Sequence, residues 1–284
     1  MNAFSGLGVN YAHSGASWDE PTLTNELTIL KNLGITRIRV TIPNWTVETL
    51  DISLRDSLRN VCATALDMEF DAVEWGYTNY GLDNLTNTTM TGGYHDALTS
   101  CATWAQTLQR AANFILSLGN EDDERVDGVT VTTAQYQAYV RGILANDCNA
   151  ILTSGKTTYS CHTGNYAEWI AGGAGSLGKI GLNVYDNQTN FNSNIRAWKS
   201  AFPSIGYVSE WNSSSAGYND YNDDTQHAGE IQTRRDLLMK NNLENYFFGF
   251  SFGTTAQQWA LKKTDGSYRM GWNVLTNKRL FLVN

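Results

Sequence analysis

Phe114-Ile115-Leu116-Ser117-Leu118-Gly119-Asn120-Glu121 is an apolar run that ends on a carboxylate. Its length and composition read as a buried strand, which places the acid at one end of a sheet. The same form returns in Ile205-Gly206-Tyr207-Val208-Ser209-Glu210-Trp211. One acid at a strand end says little. Two, on matched segments of a chain whose strand and helix signals alternate, read as a catalytic pair.

The alternation runs outward from these segments in both directions. Strand signals fall at Gly6–Ala12, Ile35–Ile42, Phe70–Trp75, Phe114–Glu121, Thr157–His162, Ile180–Tyr185, Ile205–Trp211 and Tyr246–Thr254. Between them lie helical patterns. One is Pro21–Leu33, with Leu23, Leu27 and Leu30 on one face and Gly34 as its stop. Others are Leu50–Met68, Tyr94–Asn113, Thr133–Ile151, Tyr166–Ala171, Asn192–Phe202 and Thr225–Asn241. Trp259–Arg269 reads as a hairpin turning at Asp265-Gly266, followed by a last helix near Asn273–Lys278. Eight strand-helix units without a composition break predict a (β/α)8 TIM barrel, an α/β fold in one domain over residues 1–284. The two glutamates stand 89 residues apart. Three units of a barrel this size span roughly 106 residues, and the fifth and sixth units are compact. A doubly wound open sheet fits less well, because no glycine-rich phosphate loop follows the first strand.

Composition narrows the partner. Net charge is −8 and there is no basic run, which argues against nucleic acid and acidic substrates and favours a neutral ligand. No apolar run is long enough to span a bilayer. Nine Trp and fourteen Tyr supply flat apolar faces that suit either a large core or sugar rings. Cys62, Cys101, Cys148 and Cys161 form no CxxC pair, and either two disulfides or buried free thiols satisfy the count. Low charge with abundant Thr, Asn and Gly leads to the expectation of an extracellular protein whose leader has been removed.

In a barrel, functional groups collect at the C-terminal ends of the strands. Those positions here hold Tyr11, His13, Arg39, Trp75, Asn120, Glu121, His162, Tyr185, Glu210, Trp211 and Phe252. Cleaving a glycosidic bond needs one protonated carboxyl group and one ionised one, with environments that separate their pKa values. Arg39 can hold one glutamate ionised. Glu121, beside the neutral Asn120, can stay protonated longer.

These residues resemble the glycoside hydrolases of clan A, retaining glycosidases with (β/α)8 barrels. Leu118-Gly119-Asn120-Glu121 is similar to their fourth-strand Asn-Glu motif, and the resemblance implies Glu121 as acid/base and Asn120 as a partner of the sugar 2-hydroxyl. Tyr207-Val208-Ser209-Glu210 is similar to their nucleophile segment, which implies that Glu210 attacks. The arginine strand Gly34–Val40 implies Arg39 as support for the nucleophile. Asn183-Val184-Tyr185 implies Tyr185 as its hydrogen-bond partner. Trp75, His162, Asn183, Trp211, Phe252, Trp259 and His13 form the expected substrate-binding set.

The chain departs from the clan in three places. The eighth strand carries Phe250 and Phe252 where the clan has a tryptophan, so Phe252 or Trp259 is expected to floor the sugar site. Asp122 stands where a proline is common, and the third strand offers Glu74-Trp75 in place of a histidine.

The reading that results is a retaining hydrolase of β-glycosidic bonds in a neutral poly- or oligosaccharide, β-glucan-like or mannan-like. It needs no cofactor or metal, takes a carbohydrate as its partner, and is expected to act as a monomer away from membranes. A non-catalytic carbohydrate-binding barrel is the alternative. A metal-dependent hydrolase ranks last, with only four His and no HxH pair. Glu74 is the rival carboxylate. The acidic run Asp122-Asp123-Glu124 reads as a solvated loop, or less readily as a calcium site.

Overall fold

A computed structural model describes residues 7–12, 20–40, 52–76, 86–124, 126, 130–153, 156–213, 224–251 and 270–276. Eight parallel strands close into a barrel in sequence order. They are β1 (Leu7–Ala12), β2 (Arg37–Val40), β3 (Ala72–Trp75), β4 (Phe114–Asn120), β5 (Thr157–His162), β6 (Lys179–Val184), β7 (Gly206–Trp211) and β8 (Asn245–Ser251). The helices are α1 (Glu20–Asn32), α2 (Ile52–Asp67), α3 (Asn87–Thr89), α4 (His95–Ala105), α5 (Thr133–Tyr139), α6 (Ala145–Leu152), α7 (Tyr166–Gly172), α8 (Gln188–Ala201), α9 (Asp224–Lys240) and α10 (Met270–Thr276). This is a single (β/α)8 barrel.

Local signals account for most boundaries. Gly34 ends α1 in the left-handed region at φ +83°, which glycine adopts without a Cβ clash. Thr132 caps α5 by accepting from the Gln135 amide, and Gln135 reciprocates. The helix expected over Tyr94–Asn113 stops at Ala105, and a separate 3₁₀ turn at Ala111–Asn113 leads into β4. The helix expected over Thr133–Ile151 is interrupted by a wide π turn at Val140–Leu144. The expected hairpin at Trp259–Arg269 lies outside the described residues.

Ile38, Val73, Leu116, Tyr159, Leu182 and Val208 face the helices and form the apolar layer with Leu27, Leu30, Val61, Leu98, Leu144, Phe191 and Ile231. All four cysteines are buried free thiols, which decides between the two readings that their even count allowed. Among the described residues no helix is long and apolar enough to cross a membrane.

The barrel interior is polar. Asn10, Arg39, Glu74, Asn120, Thr158, Ser160, Asn183 and Glu210 are all buried. Branched apolar layers usually fill such barrels. Here buried polar groups take their place, and each must find a partner to be tolerated.

Three strands break the alternation of inward and outward side chains: β8 between Phe247 and Phe250, opposite β1, and β4 and β7 close to the two acids. Ser117 pairs with Thr158 and Asn120 with Ser160, three steps on β4 against two on β5. Gly181 pairs with Tyr207 and Asn183 with Glu210, again three steps on β7 against two on β6. Each strand therefore carries a bulge just before its C-terminal end. The bulge lets Tyr207 and Glu210, three residues apart, both face the axis. Tyr207 donates to Glu74, while Glu210 accepts from Arg39.

Candidate active site

Arg39 is the hub of the upper barrel. Its side chain is fully buried, and every N–H donor finds an acceptor. Nε donates to Glu74 at 3.0 Å, and Nη1 donates to Asn10 at 2.9 Å and to Glu210 at 2.6 Å. Nη2 donates to Asn120 at 2.9 Å and reaches Ser160 at 3.5 Å. Five strands thus converge on one guanidinium. Burial works against its charge, but Glu210 and Glu74 outweigh that and keep it protonated. Glu74, the rival carboxylate, is 1% exposed and serves as the counter-ion at the lower side of Arg39. Burial raises its pKa, and Arg39 and the Tyr207 hydroxyl only partly offset this.

Because a guanidinium only donates, the Asn120 side-chain oxygen must face Arg39. It also accepts from Asn183 at 2.9 Å. The Asn120 amino group is therefore turned the other way, toward the cleft. Asn183 is fixed in turn by Ser209, whose hydroxyl donates to its oxygen at 2.7 Å. Its amino group then donates to both Asn120 and Glu121, the latter at 2.7 Å.

The two glutamates end in different surroundings. Glu210 accepts from Arg39 through one oxygen and from the Tyr185 hydroxyl through the other, at 2.6 Å each. Glu121 meets no cation at hydrogen-bond distance in the described contacts. Burial and then the charge of Glu210 push its pKa up to about 7, while the Asn183 hydrogen bond and His162 pull against this. Glu121 also has φ +58°. The other non-glycine residues in this region among the described residues, Glu69, Thr153 and Asn242, follow helices α2, α6 and α9. Glu121 alone of the four sits at a strand end, where such a conformation costs about 1–3 kcal/mol.

The remaining expected site residues divide. His162 sits at the mouth of β5, 2.9 Å from Glu124, and is close enough to act on the Glu121 charge. Asn183 lies in the site but is fully buried, with both donors committed to protein. It orients Glu121 and Asn120, which corrects the expectation that it binds substrate. Trp75 and Trp211 are also corrections. Trp75 points to the helices, edge-on to Trp104 at 6.0 Å. Trp211 is fully buried against Phe247 and donates to Asn245. Each directly follows an inward glutamate, so strand alternation turns it outward. His13, Phe252 and Trp259 lie outside the described residues.

One aromatic at the cleft was not singled out from the sequence. Phe248 on β8 is partly exposed and stands edge-on to Tyr185, with ring centroids 5.8 Å apart. Its even spacing from inward Tyr246 was the available signal. The acidic run after Glu121 is a further correction. Asp122 is 0% and Asp123 2% exposed, so two of the three acids are buried, and no group of metal-ligating side chains was found among the described residues.

No family model and no curated protein sequence matches the chain. Solved structures do. A GH5-4 broad-specificity endoglucanase from Clostridium acetobutylicum superposes with TM-score 0.69 at 10% identity, covering 96% of each chain. A GH5_18 structure from Streptomyces cattleya, in complex with GlcNAc, gives 0.67 at 14% identity over 95% of this chain and 78% of that one. A family 30 subfamily 8 xylanase from Clostridium acetobutylicum gives 0.59 at 17%, over 98% and 72%. The fold is that of the clan A glycoside hydrolases. On β8 Phe248 stands two residues beyond inward Tyr246, and Asn183 stands two residues before Tyr185 at the end of β6.

Proposed function

We propose that the chain is a retaining glycoside hydrolase that cleaves β-glycosidic bonds in a neutral poly- or oligosaccharide. The observation that carries the reading is the contrast between two glutamates in one cleft. Glu121, with its pKa near 7, can hold a proton for the leaving oxygen. Glu210, gripped by Arg39 and Tyr185, is aimed as a carboxylate. In the first step Glu210 attacks the anomeric carbon while Glu121 gives its proton to the departing oxygen. In the second, Glu121 takes a proton from water, which displaces Glu210 and releases the sugar. The Asn120 amino group is placed to donate to a sugar hydroxyl, and Phe248 with Tyr185 supplies an aromatic wall. His162 stands at the rim of the same cleft.

Structural neighbours named as endoglucanases, a xyloglucanase and a xylanase support a neutral β-linked glycan as substrate. A β-glucan is the first choice and a mannan the second. We place the protein outside the cell as a monomer.

The test is hydrolysis of β-glucan, mannan, xylan and aryl β-glycosides, with proton NMR of the first product. Retention predicts that the β anomer appears before mutarotation. The α anomer appearing first overturns the mechanism. Glycan binding with no hydrolysis across the panel supports a non-catalytic binding barrel instead.

A further inference from the structure

The turn that carries Glu121 is held by two successive residues of β5. The Glu121 amide donates to the Ser160 carbonyl at 2.8 Å. Two residues on, the Asp123 amide donates to the Tyr159 hydroxyl at 3.0 Å. That hydroxyl in turn donates to Asp123 Oδ1 at 2.7 Å, so backbone and side chain of Asp123 are closed on one group. The other carboxylate oxygen accepts from Gln137 at 2.8 Å and from the Trp169 indole at 2.9 Å. Tyr159 and Trp169 are fully buried and stack with centroids 4.5 Å apart.

A carboxylate in such a place is expensive when its direct donors are neutral groups, and an apolar side chain would fill the space more simply. Its position supplies the reason to keep it. Glu121 follows an inward residue and would by alternation face the helices. Only the left-handed backbone at φ +58° brings it back to the cleft. Such a backbone persists when its surroundings fix it on both sides. Gly119 belongs to the same device: a Cβ there would lie 2.5 Å from Asp122 and 2.7 Å from the Tyr159 ring.

We propose that Asp123 is a positioning residue for Glu121: clamped by Tyr159, Gln137 and Trp169, it holds the turn that aims the acid/base into the cleft. This rests on the reading of Glu121 as the acid/base. Asp123 touches no substrate and acts through the backbone between residues 121 and 123.

The test uses Asp123→Asn and Tyr159→Phe in the full chain with two aryl β-glycosides of the same sugar. A dinitrophenyl leaving group departs without a proton, whereas a methylphenyl group needs one. Misplacement of the acid predicts that kcat/KM on the methylphenyl substrate falls about 10²-fold. On the dinitrophenyl substrate it stays within about twofold of wild type. Equal losses on both substrates, or no loss on either, overturn the proposal. Tyr159→Phe removes one hydroxyl and keeps the ring, and its melting temperature shows whether it is folded should Asp123→Asn not be. If wild type cleaves neither substrate, the enzymatic reading fails on its own. The positioning claim is then read from the Glu121 carboxyl titration by carbon-13 NMR, assigned with Glu121→Gln. A midpoint shifted between wild type and Tyr159→Phe supports it, and an unmoved midpoint overturns it.

Discussion

The ends of β4 and β7 are built alike up to one residue and then diverge. Each strand has a bulge, and each presents an inward residue just past it, Asn120 on β4 and Glu210 on β7. Both accept from the same guanidinium, Asn120 from Nη2 and Glu210 from Nη1. The next residues are Glu121 and Trp211. Trp211 follows strand alternation and is buried on the helix side. Glu121 is turned back by its positive φ and bonds the inward Asn183. Two identical carboxylates therefore reach one cleft by different routes. The one in register meets a cation and a phenol, and the one out of register meets an amide and a desolvated pocket. The division of labour proposed for them follows from that difference of one residue.

Replacing the in-register acid has the largest effect. Glu210→Ala lowers kcat on an aryl β-glycoside by on the order of 10⁵-fold, as expected for loss of a covalent nucleophile. A drop below tenfold in steady-state assays would dissolve the distinction between the two ends. Arg39→Met strikes what the ends share. It leaves Glu74 and Glu210 buried without their cation and destabilises the fold by about 3–5 kcal/mol, read from urea denaturation. Stability equal to wild type would mean that the hub is not structural.

Asn183→Ala removes bonds to Glu121, Asn120 and Ser209 but none to Glu210 itself. The bond to Glu121 favours the charged carboxylate, so its loss raises the Glu121 pKa above about 7. The alkaline limb of kcat/KM then moves to higher pH, with an activity loss of about tenfold. A limb that moves to lower pH contradicts the role given to Asn183. Glu121→Gln gives the smallest effect, in thermal stability. The folded pKa of about 7 lies above the ordinary carboxylate value. Wild type therefore loses stability as pH rises from about 4.3 toward 7, and the glutamine variant does not. The melting temperature of Glu121→Gln relative to wild type should be higher at pH 8 than at pH 5. A constant difference would remove the desolvation argument.

The barrel was legible because its strands are short apolar runs set between helices with clear stops such as Gly34. The catalytic pair was legible because each acid ends such a run. Trp75 and Trp211 were misread for want of parity: Glu74 and Glu210 face inward, so their successors cannot. Gly119 in Ser117-Leu118-Gly119-Asn120 is a weak local sign of a bulge and Tyr207-Val208-Ser209-Glu210 carries none, because what defines a bulge is the partner strand. Asp122 and Asp123 were misread because consecutive acids suggest solvent. Their burial depends on Tyr136, Tyr159, Gln137 and Trp169, which come from α5, β5 and α7 and meet them only in the fold.

The asymmetry between the two ends is tested most directly by azide added to Glu210→Ala and Glu121→Ala with an activated aryl β-glycoside. With Glu210 gone, azide takes the nucleophile's place and the account predicts an α-glycosyl azide. With Glu121 gone, azide attacks the glycosyl-enzyme and the account predicts a β-glycosyl azide. Exchanged products, or wild-type activity in either variant, would contradict it.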